Sequence, residues 1–250
     1  MNALFLSASF LTVLLLAGCG TLQQRHFPGD ADLPRPYLMF LPGGPGAIPR
    51  DINRFKAMRA GGFHGDIEVF EWTDFSHKFA SSLYPYERNR GLATQAAKRI
   101  AEIHRMDPAR PIHVWGVSSG AMMGIWLLED LPDDVQIDIA ILTAPMISTT
   151  YDLTRALQHV RGKCYSFTNS ADFAISGLTT ILFGTMDRKH RISAGEFGFV
   201  APPTADPMHY AKLVPMPHRW EWIRYENYGF HMGCSAPPFV ENVIAPLLKG

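Results

Sequence analysis

Short apolar strands alternate with helical segments from Tyr37 onward, which predicts an α/β fold: a mostly parallel central sheet of about six strands flanked by helices. Two observations carry this expectation. Most of the apolar runs are unbroken rather than alternating, as expected where helices cover both faces of a parallel sheet. The stretches between them have helical spacing, so each pair of strands is joined by a right-handed crossover. No internal repeat or low-complexity block appears, and one domain over residues 37–250 is the economical reading.

In chain order the predicted strands are Tyr37–Leu41, Ile67–Trp72, Ile112–Trp115, Ile137–Thr143, Lys163–Thr168 and Trp220–Glu226. The predicted helices are Asp51–Ala60, Leu92–His104, Ser119–Leu128, Tyr151–Val160 and Pro238–Leu248. Two long irregular stretches break the rhythm. Thr73–Arg90 is rich in aromatics (Phe75, Phe79, Tyr84, Tyr86), and Ser176–Arg219 scatters Gly, Pro and Met. Loops of this length in a compact domain usually form walls or lids of a site, although their aromatics serve packing equally well.

Ahead of the domain, Ala3 to Ala17 is apolar or small, too short to cross a bilayer comfortably as a helix. It ends in Leu16-Ala17-Gly18-Cys19, which resembles the lipobox of bacterial lipoproteins. That resemblance implies a signal peptide over 1–18, lipidation of Cys19 and anchoring to the bacterial cell envelope, although Met1 to Phe5 lacks the usual basic residue. Residues 19–36, with Gln23-Gln24, Gly29, Asp30, Asp32 and two prolines, read as a tether.

The chain carries 23 basic and 23 acidic residues and no basic run, which argues against nucleic-acid binding. With 47% hydrophobic residues it has material for a substantial core. Cys164 and Cys234 are expected at opposite edges of the sheet, roughly 18 Å apart, beyond disulfide reach. Both should remain thiols.

The strongest chemical signal is Gly116-Val117-Ser118-Ser119-Gly120, a G-x-S-x-G sequence set between an apolar strand and a helical run. A serine forced into a tight strand-to-helix turn needs tiny neighbours two residues away on either side. The turn lifts its hydroxyl clear of the sheet, beside the free N–H groups and positive end of the next helix. A second signal, Pro42-Gly43-Gly44-Pro45-Gly46, follows the first strand. It resembles the oxyanion loops of lipases, esterases and proline iminopeptidases, with Pro42 in place of their His. Pro45 has no N–H, which points to Gly44 as the donor that would pair with Ser119, ahead of Gly43 or Gly46.

Together these motifs resemble the α/β-hydrolase superfamily, over roughly Tyr37 to the C-terminus. The resemblance implies a compact member lacking the first two strands, and a Ser, acid, His order along the chain. His231, in Tyr228-Gly229-Phe230-His231, lies between the last predicted strand and the terminal helix and is the implied base. Asp172, in the loop after the strand Lys163–Thr168, is favoured as the acid, with Asp187 the competitor. Asp187 and His190 alone do not make a metal site. The implied chemistry is acyl transfer with no metal or organic cofactor, most readily on a small-molecule or lipid ester. A peptidase acting on short substrates and a non-catalytic binding lipoprotein are the alternatives.

Overall fold

The computed structural model describes residues 25–30, 35–73, 85–169, 171, 180–181 and 184–249. The expected signal peptide, Cys19, Asp172, Phe75, Phe79 and Tyr84 lie outside the described residues.

The described chain forms β1 (His26–Phe27), β2 (Tyr37–Leu41), α1 (Arg50–Ala60), β3 (Asp66–Val69), α2 (Tyr86–Met106), β4 (Ile112–Val117), α3 (Ser119–Glu129) and β5 (Ile137–Thr143). There follow α4 (Thr154–Gln158), β6 (Val160–Thr168), α5 (Ala194–Phe197), α6 (Pro207–Tyr210) and β7 (Leu213–Pro217). A 3-10 helix over Trp220–Tyr225 and a last helical segment running from Pro237 to Leu248 complete it. The seven strands lie in the order β1-β3-β2-β4-β5-β6-β7, and all pairs except β1–β3 are parallel.

Both faces of this sheet are covered, which is why its central strands read as continuous apolar runs. Alternate residues feed two cores. Met39 and Leu41 of β2 and Val114 of β4 pack with Ile100 of α2 and Ile125 and Trp126 of α3 on one face. Phe40 and Trp115 pack on the other with Phe55 and Met58 of α1 and with Phe239 and Ile244 of the last helical segment. Polar bonds lock α2 to α3 at the edge of the first core. Arg90 pairs with Glu129 and Asp130, and the Tyr151 hydroxyl donates to Glu129 at 2.7 Å. Tyr86, from the stretch expected to be a wall, packs edge-on against Trp126. Among the described residues no helix is long and apolar enough to cross a membrane.

Three expectations are corrected here. The last strand is not Trp220–Glu226 but Leu213–Pro217. Proline cannot donate to a ladder, so Leu-Val-Pro-Met-Pro reads poorly as a strand; at the edge of a sheet those missing donors cost little. The sequence Trp220-Glu221-Trp222-Ile223-Arg224-Tyr225 alternates like a strand, yet it is Trp222, buried against Phe167 and Phe239, and the half-buried Tyr225 that pack on the second core. A period of three places those two rings inward and leaves Trp220 and Ile223 together on the outer face. Second, part of the expected tether is structured, since His26 and Phe27 pair antiparallel with Glu68 and Ile67. The sheet therefore has seven strands rather than about six.

The third concerns the cysteines. No disulfide joins Cys164 and Cys234, as expected, but for a different reason. Cys164 points into the first core and Cys234 into the second, so the sheet itself separates them. They are not at opposite edges: Cys234 Sγ lies 3.5 Å from Oδ1 of Asn169, the residue just past the strand bearing Cys164.

Candidate active site

The outgoing ends of the parallel strands carry the site, as is general for open α/β sheets. β4 delivers Val117 and the chain turns at once into α3, with Ser118 between them at φ 57°, ψ −121°. That left-handed φ is costly for a residue with a side chain and persists only where the surroundings enforce it. Here they do: Ser118 N–H donates to Thr143 O at 2.7 Å, and Ala121 N–H donates to Ser118 O at 3.0 Å. The two flanking glycines are demanded by contact. A Cβ at Gly116 would sit 2.5 Å from Ala121 Cα, and one at Gly120 would run into the carbonyl oxygens of Leu41 and Pro42. The G-x-S-x-G spacing is thus the steric signature of α3 starting hard against β2 and β4.

His231 meets this serine from the other side of the sheet edge. Its Nε2 lies 2.9 Å from Ser118 Oγ, across 113 residues of sequence. The turn that presents it is built on Asn227, which is fully buried. Asn227 Oδ1 accepts from Gly229 N–H at 3.1 Å, its Nδ2 lies 3.5 Å from Cys234 Sγ, and its carbonyl bonds His218 Nε2 at 3.0 Å. Asn169, just past β6, donates from Nδ2 to Phe230 O at 2.9 Å and so ties the β6 end to the residue preceding His231. Neither asparagine was singled out from the sequence. Buried Asn in a Gly-rich turn beside the base was the available signal.

The Gly-Gly-Pro-Gly loop lies over the elbow. A Cβ at Gly43 would stand 3.6 Å from Ser118 Cβ, and Gly44 is buried in the turn that follows. Gly46 N–H donates to Gly43 O at 2.8 Å and is thus engaged within the loop. Ser119 opens α3, where N–H groups have no partner one turn back.

Asp187 is engaged by Ser148 and Thr185. Its Oδ1 accepts from Ser148 N–H at 3.0 Å, its Oδ2 from Ser148 Oγ at 2.5 Å, and Thr185 Oγ1 donates to Oδ1 as well. These bonds pin the 185–191 turn to the end of β5. His190 Nδ1 bonds Ile181 O at 3.2 Å, and among the described residues no three His, Cys, Asp or Glu side chains gather as a metal site. A groove of about 310 Å³ flanks the His231 turn, lined by Arg54, Tyr228, Phe230, Met232 and Pro237. Neither Ser118 nor His231 lines it.

No protein-family model matches the sequence, and no curated protein matches it. Solved structures do resemble the fold. A lipase B of Aspergillus fumigatus superposes with a TM-score of 0.52 at 12% identity, covering 90% of this chain and 56% of its own. An acylaminoacyl peptidase of Pyrococcus horikoshii superposes with a TM-score of 0.51 at 12% identity, covering 96% of this chain and 42% of its own. This chain thus spans about half the length of those two structures. Sheet order, elbow and likeness together define an α/β-hydrolase fold.

Proposed function

We infer that the protein is a serine hydrolase that cleaves carboxylic esters through an acyl-enzyme. The single observation behind this is the 2.9 Å contact between Ser118 Oγ and His231 Nε2 at a left-handed elbow. A serine hydroxyl is a weak nucleophile unless an adjacent base takes its proton. In this reading Ser118 Oγ–H donates to neutral His231, attacks the ester carbonyl and passes its proton to the imidazole. The imidazolium then protonates the departing alcohol, and water hydrolyses the acyl-enzyme with His231 again as base. Backbone N–H groups of Gly44 and Ser119 hold the oxyanion.

Asp172 is proposed as the group that orients His231 and stabilises its charged form. Two observations support it over Asp187. The carboxylate of Asp187 is engaged by Ser148 and Thr185. Ala171, one residue before Asp172, has its Cβ 3.5 Å from where a side chain at Gly229 would begin, two residues from the base.

Esters are placed ahead of amides because Phe230, immediately before the base, is an exposed aromatic side chain suited to an acyl group. Among the similar structures are a lipase and an acylaminoacyl peptidase, so both substrates belong in the test. The protein is further proposed to act at the bacterial cell envelope, held there by a lipid on Cys19. Labelling with a fluorophosphonate probe should occur in wild type and vanish in Ser118→Ala; a folded wild type that takes no label would point to a binding protein. Hydrolysis of p-nitrophenyl esters should exceed that of aminoacyl anilides. The reverse ranking would make it a peptidase.

A further inference from the structure

We propose that the end of the sheet bearing Ser118 and His231 lies flat against the lipid surface to which the chain is anchored, so that the site takes acyl substrates directly from the bilayer. The proposal rests on the anchoring at Cys19 proposed above. Two independent features of the described chain lead to it.

The first is where the N-terminal segment joins the domain. β1 runs antiparallel to β3, so its beginning lies at the outgoing end of the parallel strands. Val69, the last residue of β3, donates its N–H to Arg25 O at 2.7 Å. The Arg25 guanidinium meets Glu71 at 2.9 Å, and the same carboxylate oxygen accepts from Ala47 N–H, next to the Gly-Gly-Pro-Gly loop. Residue 25 is thus clamped at the site end of the sheet. Five residues lie between it and Cys19, and the six Cα–Cα steps span at most about 20 Å fully extended. A lipid on Cys19 therefore holds Arg25, and with it the attachment point at the site end of the sheet, within about 20 Å of the membrane.

The second is where the apolar side chains are exposed. Of the nine most exposed large apolar residues among those described, only Met106 and Met208 lie at the opposite end, where strands begin. Of the other seven, Trp220, Ile223, Tyr228 and Phe230 sit on the segment after β7, which is bonded to Thr168 and Asn169 at the outgoing end of β6, and Phe197 ends the helix whose Gly195 O accepts from Asn169 N–H. Trp220 is 77% exposed and shares the outer face of its 3-10 helix with Ile223; Tyr228 and Phe230 precede the base in its turn, and Phe197 is 63% exposed. Tryptophan and tyrosine are the residues that settle at a membrane interface, their rings in the headgroup region. Arg219 and Arg224 are offset locally by Glu221 and Glu226, whereas Arg188, Lys189 and Arg191 are exposed on the segment bonded to Ile181, so anionic headgroups add an attraction that salt weakens. An attachment point at the site end of the sheet, together with exposed apolar side chains on the segments bonded to the end of β6, fits a lipid surface.

The experiment uses the full-length lipidated protein, reconstituted in vesicles of phosphatidylethanolamine and phosphatidylglycerol, plain or with brominated acyl chains. Trp72, Trp115, Trp126 and Trp222 are buried, so Trp220 reports the rim. Bromolipids should quench wild type on the order of twofold more than Trp220→Phe, because an interfacial indole reaches the brominated region. Equal quenching of the two proteins while both float with the vesicles overturns the proposal and leaves the anchor intact. Failure to float overturns both. A second variant, Trp220→Asp with Ile223→Asp, should lose on the order of tenfold in hydrolysis of esters embedded in vesicles, while a water-soluble ester is cleaved at the wild-type rate. Parallel loss on both ester forms also overturns it. The quenching arm reads the same in a chain with no esterase activity, so failure of the catalytic reading is seen separately.

Discussion

The two halves of the candidate site are held in different ways. Ser118 stands where β4 meets α3, and every residue from Ile112 to Glu129 is buried. Packing from all sides keeps its backbone in a strained conformation. His231 is carried instead by a turn whose neighbours Tyr228 and Phe230 are exposed and whose position depends on hydrogen bonds from Asn227 and Asn169. A nucleophile built on rigid elements is fixed to a fraction of an ångström. A base on a loop is only as well placed as its polar supports. Damage should therefore show as lost chemistry at the elbow, and as lost alignment at the turn.

Ser118→Ala sharpens this contrast most. It removes the proposed nucleophile while its surroundings stay packed, so ester turnover should fall by at least about 10³-fold with no drop in melting temperature. A large drop in melting temperature would mean that the hydroxyl was structural.

Next in size is the acid. Asp172→Asn should cost about 10³-fold or more in kcat, whereas Asp187→Asn should cost less than about tenfold and appear mainly as lower stability, through Ser148 and Thr185. If the kinetic losses are exchanged, Asp187 is the orienting group and its turn must rearrange.

Asn227→Ala tests the turn itself. It strands Gly229 N–H and loosens the loop, with an expected loss of about 10- to 100-fold in kcat, a smaller change in KM and retained fluorophosphonate labelling at a reduced rate. Unchanged kcat would show that Asn169 and the packing of Cys234 are enough to align the base.

The smallest effect on catalysis is expected from His113, buried in β4 beneath the elbow, where burial pushes its imidazole down to about 4. Its folded value lies below its unfolded value, so the unfolded chain binds the extra proton between the two. The stability linked to neutral His113 is complete above about pH 6.5 and is lost as the pH falls toward 4, a change of about 3 kcal/mol in all. His113→Leu should flatten the melting temperature over that window while leaving turnover at neutral pH within about twofold. An unaltered acid profile would assign the loss to other groups.

Much of this was legible in the residues because it is local. The unbroken apolar runs of β2, β4 and β5 follow from burial on both faces. Gly116 and Gly120 follow from the crowding around a strand-to-helix turn, and the crossovers between strands follow from chain connectivity. The C-terminal part resisted the same logic. Pro215 and Pro217 hid an edge strand, and the alternation of Trp220 to Tyr225 imitated one that does not exist.

The amino-acid sequence by itself determined the α/β alternation, the elbow and the candidacy of His231, since each is encoded in neighbouring residues. Only the tertiary structure decided which distant groups meet. It set His231 Nε2 beside Ser118 Oγ, turned Asp187 to Ser148, and put the sheet between the two thiols. The physical reason is that local sterics select an element, while register, edges and faces arise from packing all elements together. A position within one strand says nothing of what stands opposite its end.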